Sequence, residues 1–352
     1  MERYIGLDVH AQTTTIVVMT AKGKHLAERV VETHGKKIVE TILSFAGDVH
    51  VCLEEGMHSE WLHELLQDRV SRIMVIVPPE RTGTKNDSRD AWWLADQMRL
   101  GVPQRQVFKS KLSGLREAVR GYEALTKHST RAKLQLRFLA RGRGLQVARA
   151  QLINEEKRKE LIAQLPLVRR ARARLQAQLV DDTETLRAQA QEQLEKAVKK
   201  APDVRRLMAV PGIGLVRAAQ IVSAVVTPHR FRTRQQFWAY SGLGIVTRST
   251  SNWRPTPTGT MNRKDRDMTR GLAPGNPSLK CAFRSAALVV VTNYPKHPWT
   301  LAFQRSIDEG KRRNLALLTL ARKIAETVLH IWKNKEDYDS SKHKTQKSQD
   351  AA

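Results

Sequence analysis

An α/β domain at the N-terminus, a basic helical middle and a mostly α-helical C-terminal domain are predicted by three observations. Residues 1–110 alternate β-branched runs with amphipathic ones. Residues 111–200 are dominated by Leu, Ala, Gln, Arg and Glu, and residues 201–332 are apolar at helical spacing on both sides of one polar stretch. Residues 333–352 are polar without apolar periodicity and are expected to form a disordered tail.

In order, RYIGLDVH and TTTIVVMT are β-rich runs separated by AQT, and AKGK turns the chain into HLAERVVET, which predicts an antiparallel meander. The helix GKKIVETILSFAG, the strand DVHVCLEEG, the helix HSEWLHELLQD, the strand RIMVIVPP and the helix SRDAWWLADQMRL complete a mixed sheet with helices packed on it. Next, RAKLQLRFLARGRGLQVARAQL and RARLQAQLVDDTETLRAQAQEQLEKAVKK predict long helices paired as an antiparallel hairpin or coiled coil. Breaks fall at the RGRG of 141–144 and at Pro166. Beyond 200, RRLMAVPGIGLVRAAQIVSAV reads as two helices joined by a glycine turn. The stretch VTRSTSNWRPTPTGTMNRKDRD is a polar loop of a length that is usually functional or disordered.

Charge divides the chain at the same places. Lys and Arg number 61 against 35 Asp and Glu, a net +26. Residues 1–110 carry −1, 111–200 carry +11, 201–270 carry +9, 271–332 carry +6 and the tail +1. A polyanion is the expected partner of everything past 110. Nucleic acid is favoured over a membrane surface, because no basic amphipathic anchor with exposed aromatics stands out. Cys52 and Cys281 lie far apart without partners at metal-ligand spacing, which argues against a disulfide framework or zinc module and fits a reducing compartment. No apolar signal core opens the chain and no run approaches the ~18 apolar residues of a membrane span, so a soluble cytoplasmic protein is expected.

Five acidic residues invite a chemical reading. Asp8 interrupts a β-branched run, where an unpaired buried carboxylate is costly. Glu54 and Glu55 end a strand, and Asp87 and Asp90 open a helix on one face. Each has a structural explanation: Asp8 bonding a turn, Asp87 capping its helix with Asp90 in the first turn. Together, in a chain otherwise basic, they favour a divalent cation held by hard oxygens, Mg²⁺ or Mn²⁺, with open positions for phosphate.

In the second half, Gly212 and Gly214 permit a tight turn whose following backbone N–H groups can grip a phosphate. With Arg205, Arg206 and Arg217 nearby, this resembles a helix-hairpin-helix, a sequence-independent DNA-backbone element; a plain helix connection explains the glycines nearly as well.

The segments YIGLDVHAQTTTIVVM, CLEEGMHSEWLHELL and VPPERTGTKNDSRDAWWLADQMRLG resemble the N-terminal domain of a bacterial insertion-sequence transposase family. That family is related to the Piv-type invertases, and some members are bridge-RNA-guided recombinases. The resemblance implies a RuvC-like (RNase H-like) fold with an Asp-Glu-Asp-Asp metal tetrad, carried over onto Asp8, Glu54, Asp87 and Asp90. Here EEG stands where many relatives read EATG, which leaves Glu55 as the alternative to Glu54. The run FWAYSGLGIVTRS with its basic loop resembles the family's C-terminal domain, in which a serine attacks the DNA backbone. The triplet Ser249, Thr250, Ser251 stands where many relatives read SSG, with Ser249 the first choice and Ser251 the second.

A serine hydroxyl needs a base or metal to act at neutral pH, so the tetrad and Ser249 are expected to form one composite site, within one chain or across subunits, with Arg248 and Arg254 steadying the phosphate. The resemblance further implies donor and target DNA, a noncoding guide RNA, a homo-oligomer (dimer or tetramer) and a nucleoid-associated place in the bacterial cytoplasm. Two other readings remain: a metal-dependent junction resolvase or nuclease using water, for which Ser249 is dispensable, and a catalytically inactive DNA-binding relative.

Overall fold

A computed structural model of the chain describes residues 1–77, 86–101, 106–109, 112–249, 253–263 and 268–343. The chain divides into two units, Met1–Lys111 and Leu112–Ala352.

The first unit is built on one sheet. Strands β1 (Glu2–Val9), β2 (Thr13–Thr20) and β3 (His25–Glu32) form the antiparallel meander, and β4 (Asp48–Glu54) and β5 (Arg72–Ile76) add in parallel beyond β1. A short antiparallel β6 (Gln106–Val107) completes the order β3-β2-β1-β4-β5-β6. This mixed α/β arrangement fits the RNase H-like expectation. Because side chains alternate along a strand, the sheet has two separate apolar faces. Ile5, Leu7, Val51, Leu53 and Val75 pack under α1 (Gly35–Leu43) and α2 (Ser59–Leu66) through Ile38, Ile42, Leu62 and Leu66. Cys52, Met74 and Ile76 meet Leu94 and Met98 of α3 (Asp87–Leu100) on the other face.

The second unit begins with α4 (Ser113–Arg141), followed by the short α5 (Ala150–Ile153) and α6 (Glu155–Ala163) and by α7 (Leu167–Lys199). The expected breaks are real: Gly142 caps α4, and Pro166 stands at the N-cap of α7. Helices α4 and α7 run antiparallel. Tyr122 meets Arg187, Ser129 and Lys133 meet Glu184, and Ala132 meets Gln176, so the partner number falls as the chain advances.

Beyond the pair, α8 (Pro202–Met208), α9 (Leu215–Val225), α10 (Arg234–Tyr240), α11 (Pro277–Asn293), α12 (Pro298–Asp308) and α13 (Arg313–Asn334) share a large core. Leu115 and Val119 of α4 and Leu194 and Val198 of α7 enter it too. The middle segment is thus rooted in the C-terminal helices.

Two expectations change. The stretch read as a loop carries short strands: β7 (Ile245–Ser249) pairs with β10 (Met268–Leu272), and β8 (Trp253–Pro255) pairs with β9 (Met261–Arg263). Its polarity hid a β-branched run, and the Thr256–Thr260 turn, closed by hydroxyl bonds with Gly259 at φ +79°, supplies the reversal. The segment read as a disordered tail starts with the last residues of α13, and Tyr338 packs on Trp299 and hydrogen-bonds His297. Residues 344–352 of that tail lie outside the described residues. Among the described residues, no helix is long and apolar enough to cross a membrane, and Cys52 and Cys281 are both free thiols.

Candidate active site

Gly6 decides where α3 lies. A Cβ at that position would stand 1.9 Å from the carbonyl oxygen of Ala91 and 2.6 Å from the amide nitrogen of Ala95, so the helix backbone rests directly on β1. Asn86, rather than Asp87, caps α3: its side chain accepts from the N–H of Arg89 at 3.2 Å. Asp87 is therefore released from capping and occupies the first helical position, where the positive end of the helix dipole favours a carboxylate.

Asp8, two residues along β1 from Gly6, is 5 % exposed. Between it and Asp87 stands His10, whose Nε2 lies 3.3 Å from Asp8 Oδ2 and 3.3 Å from Asp87 Oδ1. Ligand atoms of Asp8, His10 and Asp87 all lie within 4.8 Å of one another. Hard carboxylate oxygens from two elements, joined by an imidazole, are a donor set that fits a divalent cation.

Glu54 and Asp90 lie outside that group. Glu54 ends β4, whose parallel register sets Leu53 beside Leu7. The next residues along, Glu54 and Asp8, therefore end adjacent strands, on the face that also carries Cys52 and Gly6. Glu55 is engaged elsewhere: the buried Lys109 ammonium reaches its two carboxylate oxygens at 3.0 and 2.8 Å, and Ser59 Oγ donates to it at 3.0 Å. Asp90 lies one turn into α3 and is partly exposed. Burial pushes the Cys52 thiol up to about 12, so it remains a neutral packing group beneath the site.

His10 was absent from the sequence-derived set. Its signal was the i, i+2 spacing of DVH, which puts aspartate and histidine on one side of an extended chain.

In the second unit, Ser249 is the last residue of β7, opposite Met268. Arg248 lies within the same strand and Arg254 within β8. Ser251 and Thr250 lie outside the described residues. The α8–α9 connection is a tight helix–turn–helix, yet its glycines differ. Gly212, at φ +81°, is pressed against α11, where a Cβ would fall 2.5 Å from Ala286 O, while Gly214 at the N-cap of α9 faces open space. Arg217 donates to Gly212 O at 3.1 Å and so braces the turn.

Two family models match the chain. Residues 5–142 match a transposase model of the DEDD, IS110 type, and residues 204–303 match that of the IS116/IS110/IS902 transposase family, together more than half of the sequence. The chain belongs to this transposase family. No curated protein matches it. As a DNA transposase it is an enzyme whose substrate is DNA, and its DEDD-type domain points to dependence on a divalent metal. The first match spans the sheet, α3 and the Asp8–His10–Asp87 group.

Proposed function

We propose that this transposase cleaves and exchanges DNA strands with Asp8, Glu54, Asp87 and Asp90 holding Mg²⁺ or Mn²⁺ and with Ser249 as the nucleophile. The observation that carries the metal half is the convergence of Asp8 and Asp87 from β1 and α3 on one small volume. The register of β4 against β1 supports Glu54 over Glu55 as the further ligand, since it sets Glu54 on the sheet face that carries Asp8. Bound divalent metal supplies a Lewis acid that polarises the scissile phosphate and lowers the pKa of a coordinated hydroxyl.

The remaining chemistry belongs to the chain. The serine oxygen–phosphorus bond forms as the bond from phosphorus to the leaving sugar oxygen breaks, and the hydroxyl proton ends on that oxygen. The phosphoserine ester keeps the energy of the broken bond, so attack by a second strand's hydroxyl rejoins DNA and frees the serine. Arg248 and Arg254 stabilise charge on the phosphate. The preference for Ser249 over Ser251 rests on the family resemblance.

Contact with DNA backbone is assigned to the exposed N-terminus of α9 at Gly214 and to the basic helices. A noncoding guide RNA is the further partner, and the net charge of the helical middle supports a polyanion there. On the α4–α7 surface Phe138 is 79 % exposed, beside Arg131, Arg169 and Arg172, a combination suited to stacking on unpaired bases. Function as a homo-oligomer and residence on the nucleoid complete the reading.

Incubation of the protein and its co-purified RNA with supercoiled donor and target DNA and Mg²⁺ tests it. A covalent protein–DNA product that vanishes in Ser249→Ala, with DNA binding retained, is expected. Cleaved ends without an adduct in both proteins would make water the nucleophile.

A further inference from the structure

The oxygen-only ligand set omits an imidazole that lies 3.3 Å from both aspartates. We propose that His10 is a nitrogen ligand of the cation held by Asp8 and Asp87, and that it tilts the site from Mg²⁺ toward first-row transition ions such as Mn²⁺. This deepens the metal-site reading above and rests on it.

Three observations carry it. First, His10 Nε2 is equidistant, at 3.3 Å, from carboxylates on two different elements. A plain ion pair needs only one of them. Adjacent ligands of an octahedral ion with bonds of about 2.1 Å stand about 3 Å apart, so both spacings are close to what one shared cation requires.

Second, the backbone of His10 is fixed. Its N–H donates to Thr13 O at 2.9 Å, and its carbonyl accepts from Thr33 Oγ1 at 2.8 Å. The Thr33 hydroxyl lies 2.9 Å from that of Thr14, on the strand beside β1. The ring therefore leaves an anchored turn toward the carboxylates.

Third, the ring is 38 % exposed while Asp8 is 8 % exposed at its side chain. A cation here has protein donors on the inner side and room for water or phosphate on the outer. Imidazole is a softer donor than carboxylate or water and binds transition ions better than Mg²⁺, whereas the carboxylates serve both.

Pulsed EPR of Mn²⁺ bound to the whole chain reads the coordination directly, without turnover. The wild-type spectrum should carry ¹⁴N modulation from a coordinated imidazole. In His10→Ala the modulation should disappear and Mn²⁺ affinity fall by at least about tenfold, since even outer-shell partners of a metal site are worth ~10–100-fold. Mg²⁺ affinity, read by competition, should fall less. His10→Asn, which keeps a polar group of similar reach, should behave like the alanine variant. If wild-type Mn²⁺ requires Asp8 and Asp87 yet shows no ¹⁴N coupling, His10 is no ligand and the carboxylate site alone stands. If Asp8→Asn and Asp87→Asn bind Mn²⁺ as wild type does, the metal site itself is elsewhere and both readings fall.

Discussion

The α carbon of Gly6 faces the backbone of Ala91 so closely that a methyl group would fall 1.9 Å from the Ala91 carbonyl oxygen. This bare strand–helix contact brings the first turn of α3 over the end of β1, and with it Asp87 toward Asp8. The glycine of YIGLDVH is thus a positioning residue for the acidic group two places along.

Gly6→Ala should therefore destabilise the first unit by at least about 2 kcal/mol, the scale of overpacking a rigid core, because the obstructing atoms are backbone. A lowered urea midpoint is the expected result. Unchanged stability would mean that α3 shifts at little cost.

Charge removal at the converging pair gives the opposite pattern. Asp8→Asn and Asp87→Asn preserve shape, so melting temperature and DNA binding should stay close to wild type. Metal-dependent strand cleavage should fall roughly 100-fold or more, comparable to losing one charge-stabilising group in other active sites. A gel assay on supercoiled DNA measures this, and cleavage at wild-type rate would remove either residue from the machinery.

Glu54 and Glu55 are separable by two readouts. Glu54→Gln should depress cleavage with little effect on folding. Glu55→Gln leaves the buried Lys109 ammonium beside a neutral amide and should cost about 1–3 kcal/mol of stability, with cleavage by the folded protein largely retained. The reverse outcome would exchange their roles.

The α4–α7 pair should be acid-sensitive through Glu184. Hydrogen bonds from Arg187 foremost, with Lys133 and Ser129, hold its carboxyl down at about 2. A carboxyl depressed on folding contributes stability above its unfolded pKa, about 4.3, and loses it as pH falls toward 2. Melting temperatures of wild type and Glu184→Gln should differ by a constant amount from pH 7 to 5 and converge between about 4.3 and 2. A gap that persists at pH 2 would assign the stabilisation to something other than the ionised carboxylate.

Much of this was legible in sequence because it depends on neighbours along the chain. The β-rich runs RYIGLDVH and TTTIVVMT set strands, the Leu- and Ala-rich stretches set helices, and RGRG and Pro166 end them. The change in charge after residue 110 follows from composition alone, and Asp8 stood out because an aspartate in a β-branched run is costly. The tertiary structure decided what depends on residues far apart. It brought His10 between Asp8 and Asp87, engaged Glu55 with Lys109, pressed Gly212 against Ala286, and paired β7 with β10 inside a stretch whose composition reads as loop. Local propensity governs which conformation a segment adopts, whereas register and close packing choose which segments meet, and that choice is a cooperative property of the whole folded unit.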